Sequence, residues 1–177
     1  MGHEDDIGIG VVRDVGEGFT AELAELWYRV SVAGGSVGFG THVERAAVDP
    51  VAAHIAAEVA AGRTTLLAAR RDGRLVGTVR LEPGPEPVVR HRAMLKLLMV
   101  DPDFQRSGLG RRLVDAAVAA AADAGIEQLY LSARSRTGLE EYYSRLGWRE
   151  VGRFPGAIRV ADGDDRDEVW YFRPAVT

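Results

Sequence analysis

A chain of 177 residues, 46% apolar and 27% charged, has the length and balance of one folded domain (1–177) with a single substantial core. Its net charge of −4 argues against a whole-domain affinity for nucleic acid or an anionic membrane. The absence of cysteine excludes disulfides, thiolate metal sites and a cysteine nucleophile, and four scattered histidines with no i, i+4 pair make no metal site. The opening MGHEDD is polar and acidic, unlike a signal peptide, and no apolar run approaches membrane-spanning length, so a cytoplasmic protein is expected.

In chain order, IGIGVVRDV reads as a first strand from Ile7 to Val15. Phe19, Leu23, Leu26, Trp27 and Val30 follow at helical spacing. AGGSVGFG (33–40) is too glycine-rich for a helix and too irregular for a strand, and reads as a loop. Pro50 opens a second helix, Val51 to Ala61, with Gly62 as its stop. TTLLAAR and LVGTVRL flank Asp72-Gly73 and predict a hairpin. After the proline-rich EPGPEP comes a near-continuous apolar strand, Ala93 to Val100, suited to the middle of a sheet and ended by Pro102. A helix from Leu109 to Ala124, with Leu109, Leu113, Ala117 and Ala121 on one face, precedes the strand QLYLSA. Thr137 and Glu140 have the spacing of a capping box before a short helix stopped by Gly147. WREVGRF and EVWYFR make two last strands, joined by the acidic segment ADGDDRD. The expected class is α/β (α+β): a mixed, mostly antiparallel sheet of about seven strands with helices on both faces.

Chemistry concentrates in VDPDFQRSGLGRRL, residues 100–113. Glycines at 108 and 110 open the main chain at a helix N-terminus, where unpaired N–H groups and the helix dipole favour a phosphate. A Walker loop would need Lys-Ser/Thr where Arg111 and Arg112 stand, and a dinucleotide fingerprint would need glycine at Leu113. A pyrophosphate gripped by main-chain donors and by arginines at 106, 111 and 112 is the remaining guest; the same glycines would equally permit a tight strand-to-helix turn.

Q-x-x-G-x-G after a strand ending in Val-x-Pro, together with the later EYYSRLGW, resembles the acetyl-coenzyme A signature and tyrosine segment of the GNAT superfamily of N-acetyltransferases. AGGSVGF, KLLMV, QRSGLGRRLVD and the FPG…YF ending more narrowly resemble tabtoxin-resistance acetyltransferases, which implies a role in antibiotic or toxin resistance. The resemblance implies the GNAT fold, with a fourth strand that bulges and splays from the fifth. It implies acetyl-coenzyme A as cosubstrate. Main-chain groups of Leu98, Met99 and Val100 would pair with the pantetheine arm, and N–H groups of Gln105, Arg106, Ser107, Gly108, Leu109, Gly110 and Arg111 would hold the pyrophosphate. Tyr143, the tyrosine before x-x-Leu-Gly-aromatic, would donate a proton or hydrogen bond to the departing thiolate, leaving Tyr142 for the core.

Where some relatives carry a carboxylate base, AMLKLL and LSARS offer only Met94, Lys96 and Ser132. Glu82 could act through water, His42 and His91 have suitable pKa values, and an amine of lowered pKa would need only a water chain. Ser36, Val37 and Phe39 are expected to wall the acceptor pocket, and Asp162, Asp164, Asp165 and Asp167 form either a solvated tip or a lure for a cationic amine. The expected activity is direct acetyl transfer, in a ternary complex, to the primary amine of a small molecule. The alternatives are a protein or peptide amine, or a non-catalytic acyl-coenzyme A sensor. A homodimer is a state the resemblance allows; no metal, nucleic acid or membrane partner is expected.

Overall fold

The computed structural model describes residues 7–175, so the MGHEDD opening lies outside the described residues. The elements run β1 (Gly8–Val11), α1 (Glu17–Val32), α2 (Arg45–Ala60), β2 (Thr65–Arg71), β3 (Arg74–Pro83), β4 (Arg92–Val100), α3 (Leu109–Asp123), β5 (Gln128–Arg134), α4 (Leu139–Arg145), β6 (Arg149–Ala161) and β7 (Asp164–Pro174). The strands form one seven-stranded sheet in the order β1-β2-β3-β4-β5-β7-β6. All neighbours are antiparallel except β4 and β5.

Strand alternation sorts the core into two layers. Leu67, Val79, Leu81, Leu95, Leu129 and Leu131 face α3, which lays its Leu109–Leu113–Ala117–Ala121 stripe on them. Leu66, Ala68, Leu75 and Met99 face the other way, under Leu23, Trp27 and Val30 of α1 and Val48, Ala52 and Ile55 of α2. Helices therefore cover both faces, as the element order requires.

Three boundaries differ from the sequence reading. β1 ends at Val11, not Val15, because the exposed Arg13 and Asp14 carry the chain off the sheet toward α1. α2 begins at Arg45 with Pro50 inside it. The ring removes the N–H that would bond the Ala46 carbonyl, and both residues lie on the exposed face, where water can serve that carbonyl. ADGDDRD is mostly strand: only Asp162 and Gly163 turn, and β7 starts at Asp164. Its carboxylates stay on the ladder because arginines answer them: Asp165 with Arg159 at 2.8 Å, Asp167 with Arg153 at 3.7 Å, and Asp164 with Arg166.

The feature that creates a site lies at β4. Thr78 and Arg80 of β3 face Met99 and Lys96 of β4, so one extra residue is inserted there, and Leu97 takes a left-handed φ of 50°. The β4–β5 ladder covers only Arg92–Met94 against Gln128–Tyr130. Beyond it the two parallel strands separate, opening a split through the sheet.

Candidate active site

A cavity of about 1020 Å³ fills this split and reaches both faces of the sheet. On the α3 face it meets the segment entering the helix. Asp101, 1% exposed, anchors that segment: it accepts from Arg74 at 2.6 Å and from the Asp103 N–H at 3.0 Å, and pairs with Arg29 of α1 at 3.2 Å. The sequence reading gave Asp101 no role. An Asp before Pro is a turn signal, but its arginine partners sit on remote elements.

Past the 3₁₀ turn Pro102–Phe104, Gln105 donates its side-chain amide to the Val100 carbonyl at 3.1 Å. Gly108 caps α3 with φ 84°, a left-handed conformation costly for any residue with a Cβ. The first intrahelical bond is Arg112 N–H to the Gly108 carbonyl at 3.1 Å, which leaves the N–H groups of Gly110 and Arg111 without a helical acceptor. Leu109 N–H makes only a long 3.4 Å bond to Ser107 Oγ, the Gly108 cap position has no side chain to offer, and no acidic residue sits in the first turn. At Gly110 a Cβ would come within 3.0 Å of Tyr142 Oη.

Gln105, Arg106, Gly108, Gly110 and Arg111 line the cavity, whereas Ser107 and Leu109 do not. Ser107 bonds the Phe104 carbonyl at 2.7 Å and Leu109 is a core anchor, 1% exposed. Arg112, expected to add countercharge, instead donates to the Ile7 carbonyl at 2.7 Å and ties α3 to the N-terminal strand.

Leu98 and Val100 line the split and Met99 does not. Asp101 N–H donates to Val76 O at 2.9 Å, which fixes the alternation: the main chain of Met99 points to β3, and those of Leu98 and Val100 point into the split. The Met99 side chain is fully buried beneath α1 and α2, so the expectation for Met99 is corrected on both counts.

α4 brings both tyrosines to the cavity. Tyr143 is 6% exposed and packed against Tyr142, Tyr171 and Trp148, with ring centroids at 5.2, 5.7 and 6.0 Å. Burial pushes its phenol pKa well above the ordinary value near 10. Tyr142 is the more exposed of the pair, although its Oη is buried without a partner. Both line the cavity, so the expectation that Tyr142 belongs to the core alone is corrected. The cap is also displaced: Gly138 is the N-cap residue, while Glu140 accepts from Arg136 N–H at 3.3 Å.

On the α1–α2 face the wall is the segment after α1. Gly35 N–H donates to the Val30 carbonyl at 2.9 Å, so close that a Cβ there would lie 2.5 Å from Val30 Cγ1. Trp27 Nε1 donates to Val37 O at 2.7 Å. Ser36 and Val37 line the cavity; Phe39 does not, and instead braces Trp27 edge-on at 5.7 Å.

Beside this wall stand Arg80 and Lys96, cross-strand partners whose side chains enter the lining. Glu82 is outside it. Its carboxylate is held by Arg80 and by Lys96 Nζ at 3.1 Å, which turns it away from the cavity lining. The water-mediated base is corrected on that ground. His42 and His91 are exposed and outside the wall. Met94 and Ser132 do line it, and among the described residues no carboxylate does. Among the described residues, no group of three or more potential ligands could hold a metal ion, and no helix is long and apolar enough to cross a membrane.

Residues 36–155 match the family described as an acetyltransferase (GNAT) domain. The fold is similar to that of a Salmonella typhimurium protein solved with its cofactor acetyl-CoA, with a TM-score of 0.76, 16% identity, and coverage of 97% of this chain and 95% of that one. It is similar to an aminoglycoside 6'-N-acetyltransferase complexed with coenzyme A, at TM-score 0.73 and 19% identity over 96% of this chain and 98% of that one. It is equally similar to a ribosomal-protein-alanine N-acetyltransferase from Brucella melitensis, at TM-score 0.74 and 17% identity over 93% and 99%.

Proposed function

The chain belongs to the GNAT acetyltransferases and takes acetyl-CoA as its acetyl donor; from that premise we propose that it acetylates the primary amine of a small molecule. The observation that carries the choice of acceptor is the pinned segment 33–38. A protein or peptide amine needs an open groove on the acceptor face. Here Trp27 and Val30 of α1 hold that segment at Val37 and Gly35, and it forms one wall of the cavity, which supports a pocket rather than a groove. The test is release of free thiol from acetyl-CoA across a panel of small amines and of peptides. Turnover on small amines with none on peptides is expected; peptides as the better substrates would overturn the reading.

The residues present fit coenzyme A. The α3 N-terminus offers N–H groups of Gly110 and Arg111 to a pyrophosphate, with Arg106 and Arg111 beside them as countercharge. Leu98 and Val100 direct main-chain groups into the split where a pantetheine arm would run. Bound there, the group supplies a thioester carbonyl open to attack by the acceptor nitrogen. Tyr143 keeps its proton at every working pH, because its pKa lies above the ordinary phenol value. An ordinary thiol has a pKa near 8.5, so full proton transfer from Tyr143 is uphill and its role is to donate a hydrogen bond to sulfur.

Among the described residues no lining carboxylate is placed to accept the amine proton, so the acceptor attacks as the free amine. The proton then leaves through water.

A further inference from the structure

We propose that the acceptor carries a carboxylate next to its amine, and that Arg80 and Lys96 are the residues that bind it; this rests on the small-molecule reading above. Arg80 is 7% exposed and pairs with Glu82, a carboxylate it shares with Lys96. Its Nε donates to Thr64 Oγ1 at 2.9 Å, and Thr64 in turn donates to the Leu81 carbonyl at 2.7 Å, so the guanidinium is fixed in direction. Lys96 stands directly across the ladder. Glu82 lies off the cavity wall, and the described residues of the wall contribute no negative charge. Two cations with one carboxylate between them leave one net positive charge at this wall, with Arg80 buried and Lys96 half-exposed, and a ligand carboxylate would complete the set.

The position is specific as well. Val79, Leu81 and Leu95 face α3, so Arg80 and Lys96 emerge on the α1–α2 face, beside the pinned segment and Ser132. Arg106 and Arg111 line the cavity at the α3 end. The cavity therefore has two cationic regions on opposite faces of the sheet, one fitted to phosphates and one left for the acceptor. The same wall disfavours polycationic acceptors. The acidic β6–β7 hairpin offers them little in its place, because Asp164, Asp165 and Asp167 are paired with Arg166, Arg159 and Arg153, while Asp162, exposed at the turn, has no such pair among the described residues.

The test compares amines that differ only in the carboxylate, L-phenylalanine against 2-phenylethylamine and L-norleucine against pentylamine. Wild type should favour the amino acid by roughly 10–100-fold in kcat/KM, the worth of charged hydrogen bonds, with the gain in KM. Lys96→Met, a change at a half-exposed side chain, should erase most of that ratio with acetyl-CoA affinity unaltered; Arg80→Lys is the second variant if Arg80→Gln fails to fold. Equal or better use of the plain amines would overturn the inference and leave the acetyltransferase reading intact. So would an unchanged ratio in Lys96→Met, or a fall in acetyl-CoA affinity of the same size as the loss of turnover. Turnover on peptides alone would overturn the small-molecule reading, and this inference with it.

Discussion

Tyr143 and its neighbour Tyr142 differ in what the fold asks of them, and two substitutions separate the roles. Tyr143→Phe removes the hydroxyl proposed to serve the leaving sulfur. A charge-assisted hydrogen bond is worth about 1.5–3 kcal/mol, so kcat should fall about 10–100-fold with acetyl-CoA affinity unchanged. Full turnover with the wild-type pH profile would end that role. Tyr142 Oη is buried with no partner among the described residues, so its desolvation is uncompensated. Tyr142→Phe should therefore be neutral or stabilising by up to about 1 kcal/mol in urea unfolding. A loss larger than that would mean the hydroxyl has a partner in solution.

At the scale of elements, the two loops that enclose the cavity are held by contacts that can be removed separately. Asp101 ties the cofactor segment to α1 and β3, and Asp101→Ala should cost about 2 kcal/mol while raising the KM for acetyl-CoA more than that for the amine. Gly35→Ala drives a Cβ into Val30, so the acceptor segment must move: the amine KM should rise and calorimetric affinity for coenzyme A should hold. Gly108 and Gly110 divide similarly. A side chain at Gly108 meets no atom within 4 Å but strains the turn, whereas at Gly110 it meets Tyr142. Gly110→Val is thus the cleaner probe of the cofactor cradle, with at least about a tenfold loss of affinity expected at near-native stability. Wild-type affinity would show that Gly110 only accommodates the helix.

Across the whole molecule, titration and ligand binding give readouts that need no substrate. Burial raises the folded-state pKa of Tyr142, Tyr143 and Tyr171 above the unfolded value near 10. Between pH 10 and the folded values the native state holds more protons than the unfolded chain, so stability is full below pH 10 and falls as pH rises beyond it. The urea midpoint should drop from pH 9.5 to pH 11.5, and less steeply in Tyr143→Phe; parallel slopes would place the titration elsewhere. Acetyl-CoA at a hundred times its Kd should stabilise the protein by about 2.7 kcal/mol through mass action, and at the same concentration the Gly110→Val variant should lose at least about half of that gain.

Local chemistry was legible before any coordinates. The glycines of QRSGLGRRL, the Asp72-Gly73 hairpin and the apolar stripes of α1 and α3 each follow from residues within a few positions of one another, and φ/ψ preference and hydrophobic period act over that range. The family resemblance added the split of β4 from β5. What sequence could not assign was direction and partnership. Met99 turns away from the split because of the ladder it shares with β3, and the acidic hairpin is strand because arginines on β6 and β7 answer it. Arg80, read only as part of a strand, becomes a wall of the cavity because Thr64, Glu82 and Lys96 converge on it from other elements or positions. The fold class was legible in the local pattern of the elements, and the acetyltransferase family in two short motifs, QRSGLGRRL and EYYSRLGW, each readable within a few residues. The juxtaposition of Arg80 and Lys96 with the segment after α1 on one wall of the cavity came only with the folded structure, because it depends on how segments distant in sequence pack together.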